Sequence, residues 1–90
     1  MKNISVIIIA KNEEKNIRAC LESVNWADEI IVVDAFSSDA TVEIAREFTS
    51  FVFQKEWEGF AKQKAYALTL VHNDWVFSLD ADEQVSIQLK

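Results

Sequence analysis

Proline is absent from the 90 residues and glycine occurs once, at Gly59. Without either residue in runs, and without a low-complexity stretch, no segment reads as a linker, so one domain with no internal repeat is expected. Cysteine is equally scarce. Cys20 alone cannot close an internal disulfide, and its place among helix residues predicts a small buried side chain in a reducing compartment. Positive charge is also short: nine Lys and Arg against fifteen Asp and Glu leave a net charge of −6. That balance excludes a general nucleic-acid surface, which needs clustered Lys and Arg to displace counterions from phosphates. An anionic ligand would need a local basic patch or a metal ion. The N-terminal run ISVIIIA is too short to span a bilayer and no A-x-A-like cleavage site follows it, so a cytoplasmic location is expected.

What is present is apolar material, 50% of the residues, enough for a modest core in a chain that buries about 60 to 65% of its unfolded surface. Ile4 to Ala10 is a continuous β-branched run, which suits a strand covered on both faces of a parallel sheet. From Glu13 to Val24, Ile17, Cys20, Leu21 and Val24 form an i, i+3, i+4, i+7 stripe, with Asn12 as a candidate N-cap. A second apolar run, EIIVVD at Glu29 to Asp34, ends in the polar turn FSSD before a helix lined by Thr41, Ile44, Ala45 and Phe48. Phe51 to Phe53 predicts a third strand, Gly59 to Val71 a third helix with Ala61, Ala65 and Leu68 inward, and Trp75 to Leu79 a fourth strand. The order βαβαβαβ implies right-handed crossovers and an α/β class with a parallel sheet flanked by helices. The final VSIQLK stops inside an expected helix without a cap, as a piece of a longer protein would.

In open parallel sheets, ligands bind beyond the carboxyl ends of the strands. Three such ends carry polar residues here: AKNEE after the first strand, DAFSSD after the second and DADE after the fourth. Asp34 follows four apolar residues and must be hydrogen-bonded or solvated; it serves either a ligand or the turn onto the next helix. Asp80 and Asp82, two apart, point to one side of an extended chain. There they would either share a hard divalent cation, Mg or Mn, with a substrate's phosphates or open a helix with Glu83 in its first turn. Lys11, Lys62 and Lys64 lie near the same edge and could meet a diphosphate, although a solvated Lys64 stem covering apolar surface fits equally. Trp26, Trp57, Phe60 and Trp75 read as packing residues, Gly59 as the turn before the third helix, and His72 as lying in a turn away from the crevice.

The blocks ISVIIIAKNEEKNI, DEIIVVDAFSSDAT, WEGFAKQKAYAL and DWVFSLDADE, in that order, resemble the N-terminal, nucleotide-sugar-binding half of family 2 glycosyltransferases. W-x-G-F, K-Q-K-x-x-A-L and SLDADE look most like the bacterial lipopolysaccharide core-type members. The resemblance covers essentially residues 1–90. It implies a Rossmann-like, A-type glycosyltransferase fold and inverting transfer of a sugar from a nucleotide diphosphate, usually UDP, to a glycan or lipid-linked acceptor. Carried over by position, the loop Ala10, Lys11, Asn12, Glu13 with Asp34 and Ser37 would hold base and ribose. Asp80 and Ala81 would face ribose and diphosphate, Asp82 with Asp80 would ligate Mn or Mg, and Lys64 stands where the family has a basic residue. Ala35, Phe36, Ser38 and Ala40 depart from the family's D-S-G-S-T-D-G-T turn, and Ala65 from its usual Asn. The acceptor half and the general base are expected beyond Lys90, so donor binding without turnover is expected of this chain.

The resemblance further implies peripheral attachment at the inner face of the cytoplasmic membrane, and an exposed edge beside the fourth strand suggests self-association. Rival readings are a haloacid dehalogenase-type phosphatase or a receiver domain, both with strand-end acids, and a non-enzymatic nucleotide-binding remnant or interaction module. The first two place their acids after the first strand, where this chain has AKNEE.

Overall fold

In the computed structural model, residues 3–81 are described. They alternate as β1 (Ile4–Ala10), α1 (Ile17–Ser23), β2 (Glu29–Asp34), α2 (Thr41–Arg46), β3 (Val52–Gln54), α3 (Phe60–Leu68) and β4 (Trp75–Asp80). The strands form one parallel sheet in the order β3-β2-β1-β4. Every residue of β1 after Ile4 is buried, as is all of β2, because both strands are interior and covered on both faces. β-Branched side chains suit such strands: their restricted χ1 costs little there, and alternate residues reach opposite cores.

Two cores result. Val6, Ile8, Ala10, Ile30, Val32 and Leu79 meet Ile17, Cys20, Leu21 and Val24 from the α1 segment and Ala45 from α2. On the other face Ile7, Ile9, Ile31 and Val33 meet Ala67, with Tyr66 and Leu70 packed alongside. Cys20 is fully buried, and its thiol donates to the Asp80 carbonyl at 3.6 Å, tying α1 to the end of β4. Among the described residues no helix is long and apolar enough to cross a membrane.

Three helical expectations need correction. Helix α1 begins at Ile17 rather than Glu13, and Asn12 does not cap it: Asn12 sits at φ 51° and its side-chain oxygen accepts from Ser38 N–H at 2.8 Å. The N–H groups of the preceding segment go instead to the start of α2 and the loop before it, Glu13 to Thr41 Oγ1 (2.8 Å) and Glu14 to Asp39 Oδ2 (3.3 Å). The third helix is shorter than Gly59 to Val71, and its buried face is Gln63 and Ala67, not Ala61, Ala65 and Leu68. Bulky Tyr66, Leu70 and Val71 reach the sheet, where they bury more apolar area than Ala61 and Ala65 could. Gln63 Nε2 donates to the Lys55 carbonyl at 3.3 Å. Gly59 does turn the chain into α3, at φ 103°, a conformation that side chains rarely adopt. The aromatics expected to pack are exposed: Trp26 38%, Trp57 46%, Phe60 45% and Trp75 55%.

At the amino ends of the strands, opposite the edge that carries AKNEE and Asp80, Glu29 of β2 joins β1 to the segment between α3 and β4. Its Oε1 accepts from Ser5 Oγ (2.8 Å) and from His72 N–H (2.9 Å), and its Oε2 lies 2.5 Å from His72 Nδ1. Burial alone would push the Glu29 carboxyl up, but the bonds from His72 and Ser5 outweigh it and hold its pKa below the ordinary 4.5. A group that binds its proton less readily folded than unfolded stabilises the fold at higher pH. Glu29's contribution is therefore present above pH 4.5 and lost as pH falls through the depressed folded value. Urea midpoints measured between about pH 3 and 6 should fall more steeply with acid for the wild type than for Glu29→Gln. Parallel curves would remove Glu29 from the acid response.

Candidate functional site

The register of the sheet sets the site. Ala10 is level with Asp34 across β1 and β2, and Ile9 is level with both Val33 and Asp80. Ala35 N–H donates to the Ala10 carbonyl (2.9 Å) and Ala81 N–H to the Ile9 carbonyl (3.1 Å), so three loops leave one edge within neighbouring strand spacings. The strand order reverses here: β2 and β3 lie on one side of β1, and β4, reached after α3, on the other. A crevice at that switch point is the expected ligand position in an open α/β sheet.

The two described acids leave this edge on opposite faces. Asp34 alternates with Val33 and so shares the α1 and α2 face with Ala10, whereas Asp80 shares the α3 face with Ile9 and Val33. Leu79 and Ala81, its chain neighbours, pack on the first face, consistent with that alternation. Asp34 is fully buried. Its Oδ2 accepts from Ser37 N–H (2.8 Å) and weakly from Gln54 Nε2 (3.5 Å), and its Oδ1 from Ser37 Oγ (2.5 Å). The turn role weighed for Asp34 is thus present in the structure, with capacity remaining on the carboxylate for a further donor.

Ser37 bridges the loops, since its hydroxyl also accepts from Asn12 N–H at 2.7 Å. Glu13 is half-buried, its N–H held by Thr41, while Lys11 and Asn12 are exposed. Lys64 is exposed on α3, beside the buried Gln63, rather than on the inward stripe. Asp80 is half-buried and Ala81 buried. Asp82, expected as a metal ligand, lies outside the described residues, so the expected pair is represented by Asp80 alone.

Sequence reasoning did not single out Asp39 and Gln54, and it read Thr41 only as lining a helix face. Asp39 accepts from Thr41 N–H (3.0 Å), from the Thr41 hydroxyl and from Glu14 N–H, and the Thr41 bond leads the effects that hold its carboxyl below the ordinary range. The sequence signal was the Asp39-x-Thr41 spacing ahead of an apolar stripe, an Asx-turn pattern. Nothing in the sequence pointed to Gln54, which reaches Asp34 only because β3 pairs with β2.

Among the described residues no three His, Cys, Asp or Glu side chains are grouped to hold a metal by themselves. The sequence profile of Glycosyl transferase family 2 matches residues 5–89. The chain belongs to glycosyltransferase family 2. A protein described as an uncharacterized glycosyltransferase of Rickettsia typhi is 47% identical over 91 residues, covering 100% of this chain and 31% of its own length. The lipopolysaccharide core biosynthesis glycosyltransferase LpsC of Rhizobium meliloti is 33% identical, over 97% of this chain and 34% of its own. This family 2 chain therefore spans about a third of the curated relatives it matches.

Among solved structures, S. aureus TarS 1–349 in complex with UDP-GlcNAc superposes with a TM-score of 0.76 at 28% identity, covering 91% of this chain and 27% of that one. Glucosyl-3-phosphoglycerate synthase from Mycobacterium tuberculosis, in complex with Mn2+, UDP and its product, gives 0.79 at 24% identity, covering 92% and 36%, and shows the shared fold. The parallel sheet with flanking helices is that of an A-type glycosyltransferase.

Proposed function

We propose that residues 1–90 form the donor-binding half of an inverting glycosyltransferase whose donor is a nucleotide diphosphate sugar, with UDP as carrier. The observation carrying this reading is the register that brings Ala10, Asp34 and Asp80 to one edge, at the switch point between β1 and β4. The UDP-GlcNAc bound by the TarS structure supports it. In this reading Ala10, Lys11, Asn12 and Glu13, with Asp34 and Ser37, surround the base and ribose. Asp34 offers the remaining acceptor site on Oδ1 to a base N–H while Ser37 and Gln54 hold its carboxylate in place. Asp80 and Ala81 face the ribose and diphosphate, and Lys64 adds positive charge from α3, which covers the face on which Asp80 emerges.

Asp82 and Asp80 are the residues that would hold Mn or Mg. Carboxylate oxygens suit such hard cations, and with so few protein ligands the donor's phosphates and waters complete the shell. The cation supplies charge neutralisation for the departing diphosphate. The acceptor is a glycan or the lipopolysaccharide core, in keeping with the Rhizobium relative. In this reading residues 1–90 contribute donor binding, and none of them is assigned as the catalytic base. The protein works in the cytoplasm, peripherally at the inner face of the membrane, and β4, an edge strand among the described residues, gives a route to self-association.

Calorimetric titration of the chain with UDP and Mn2+ should show weak binding, with Kd on the order of 0.1 to 1 mM. Asp82→Ala should remove the Mn2+ dependence. An absence of heat with the wild type would end the donor-binding reading, and an unaltered metal response in Asp82→Ala would end the metal assignment.

A further inference from the structure

Two non-glycine residues among those described have positive φ, Asn12 at 51° and Phe36 at 53°. Asn12 needs no special account: asparagine tolerates the left-handed region, and its side-chain oxygen accepts from Ser38 N–H across the two loops. Phe36 has neither excuse. Closing the turn from Asp34 to Ser37, through the two Ser37 bonds to one carboxylate, sets residue 36 left-handed, where glycine would sit without strain. An aromatic side chain there carries backbone strain, and it leaves Phe36 59% exposed to water, more than any other large hydrophobic residue of the described chain.

Both costs fall at the candidate site. Phe36 lies two residues beyond Asp34, and Ser37, its neighbour, accepts from Asn12 N–H. Residue 36 thus belongs to a turn that hydrogen bonds tie to Asp34 and to the β1 loop. An exposed aromatic ring on a rigid turn gives a flat apolar face that a planar heterocycle can cover, and stacking tolerates such partners without needing hydrogen-bond donors. We propose that Phe36 is the stacking face for the nucleobase of the donor, making it an affinity- and specificity-determining residue. This rests on the donor-binding reading and deepens it.

Phe36→Leu, Phe36→Gly and Phe36→Tyr in the 90-residue chain, titrated with UDP and separately with inorganic pyrophosphate in the presence of Mn2+, test the proposal. Leu and Gly should weaken UDP at least about fivefold, and Tyr should stay within about twofold of wild type. Pyrophosphate, which has no base, should bind all four proteins alike. The uracil H5 and H6 proton resonances should move upfield on binding the wild type and the Tyr variant, but not the Leu variant. Phe36→Gly should melt no lower than wild type, because glycine relieves the left-handed strain, so its lost affinity would not reflect unfolding. Wild-type UDP affinity in Phe36→Leu, or parallel loss of UDP and pyrophosphate, would overturn the stacking role alone. Absence of UDP binding by the wild type would overturn the donor-binding reading, and this inference with it.

Discussion

Ile8→Ala should lower the urea midpoint sharply while leaving the denaturant slope unchanged. Ile8 is fully buried at the middle of β1, level with Val32 on one side and Leu79 on the other, and belongs to the core that receives the α1 segment. Its strand is interior, so the surroundings can collapse into the vacated space only partly, and such truncations cost about 2 to 5 kcal/mol. A chain of this size has a total stability of roughly 5 to 13 kcal/mol, so the loss is a large share of it. Ile8→Val, which removes one methylene, should cost only about 0.5 to 1.5 kcal/mol and calibrates the series. Lys64→Ala, at an exposed position, should be close to neutral. A midpoint for Ile8→Ala equal to that of Lys64→Ala would contradict the packing described.

Asp34→Ala should cost both stability and donor affinity, and Asp34→Asn should separate the two. The alanine leaves Ser37 N–H, the Ser37 hydroxyl and the Gln54 amide without their acceptor in a buried place, a loss of about 2 to 4 kcal/mol. Asparagine keeps the shape and one carbonyl oxygen, enough to accept from Ser37 N–H, so it should recover more than half of that stability. If the carboxylate also receives a base N–H, UDP binding will stay weak in Asp34→Asn despite the recovered fold. Full recovery of both would leave Asp34 as a turn residue only. Thermal melts and calorimetry on the same preparations give the two readouts.

The fold was legible because its signals are local. Continuous β-branched runs at Ile4–Ala10 and Glu29–Asp34 can be satisfied only by interior parallel strands, and the Ile17, Cys20, Leu21, Val24 stripe only by a helix laid against them. The family resemblance rested on the same blocks and agrees with the family match over residues 5–89. The third helix was misphased because two apolar stripes overlap in it, and periodicity alone cannot weigh two alanines and a leucine against Tyr66 and Leu70. The sheet decided between them, by the area each could bury.

Within the site, residue type and chain order mark Ala10, Asp34 and Asp80 as strand-end residues. What they could not show is that Asp34 and Asp80 emerge on opposite faces. That depends on β4 pairing with β1 at Ile9↔Asp80 while β2 pairs at Ala10↔Asp34, a one-residue stagger in side-chain direction. Nor could they show that Asn12 would hold the neighbouring loop rather than its own helix, since that contact joins residues 26 apart in sequence. By itself the sequence determined which segments become strands and helices and which polar residues stand at their ends, because hydrophobic period and turn chemistry act over a few residues. Only the tertiary structure decided which face each acid occupies, which helix surface is buried and which loops are tied to each other, because those outcomes depend on registers and hydrogen bonds between distant segments.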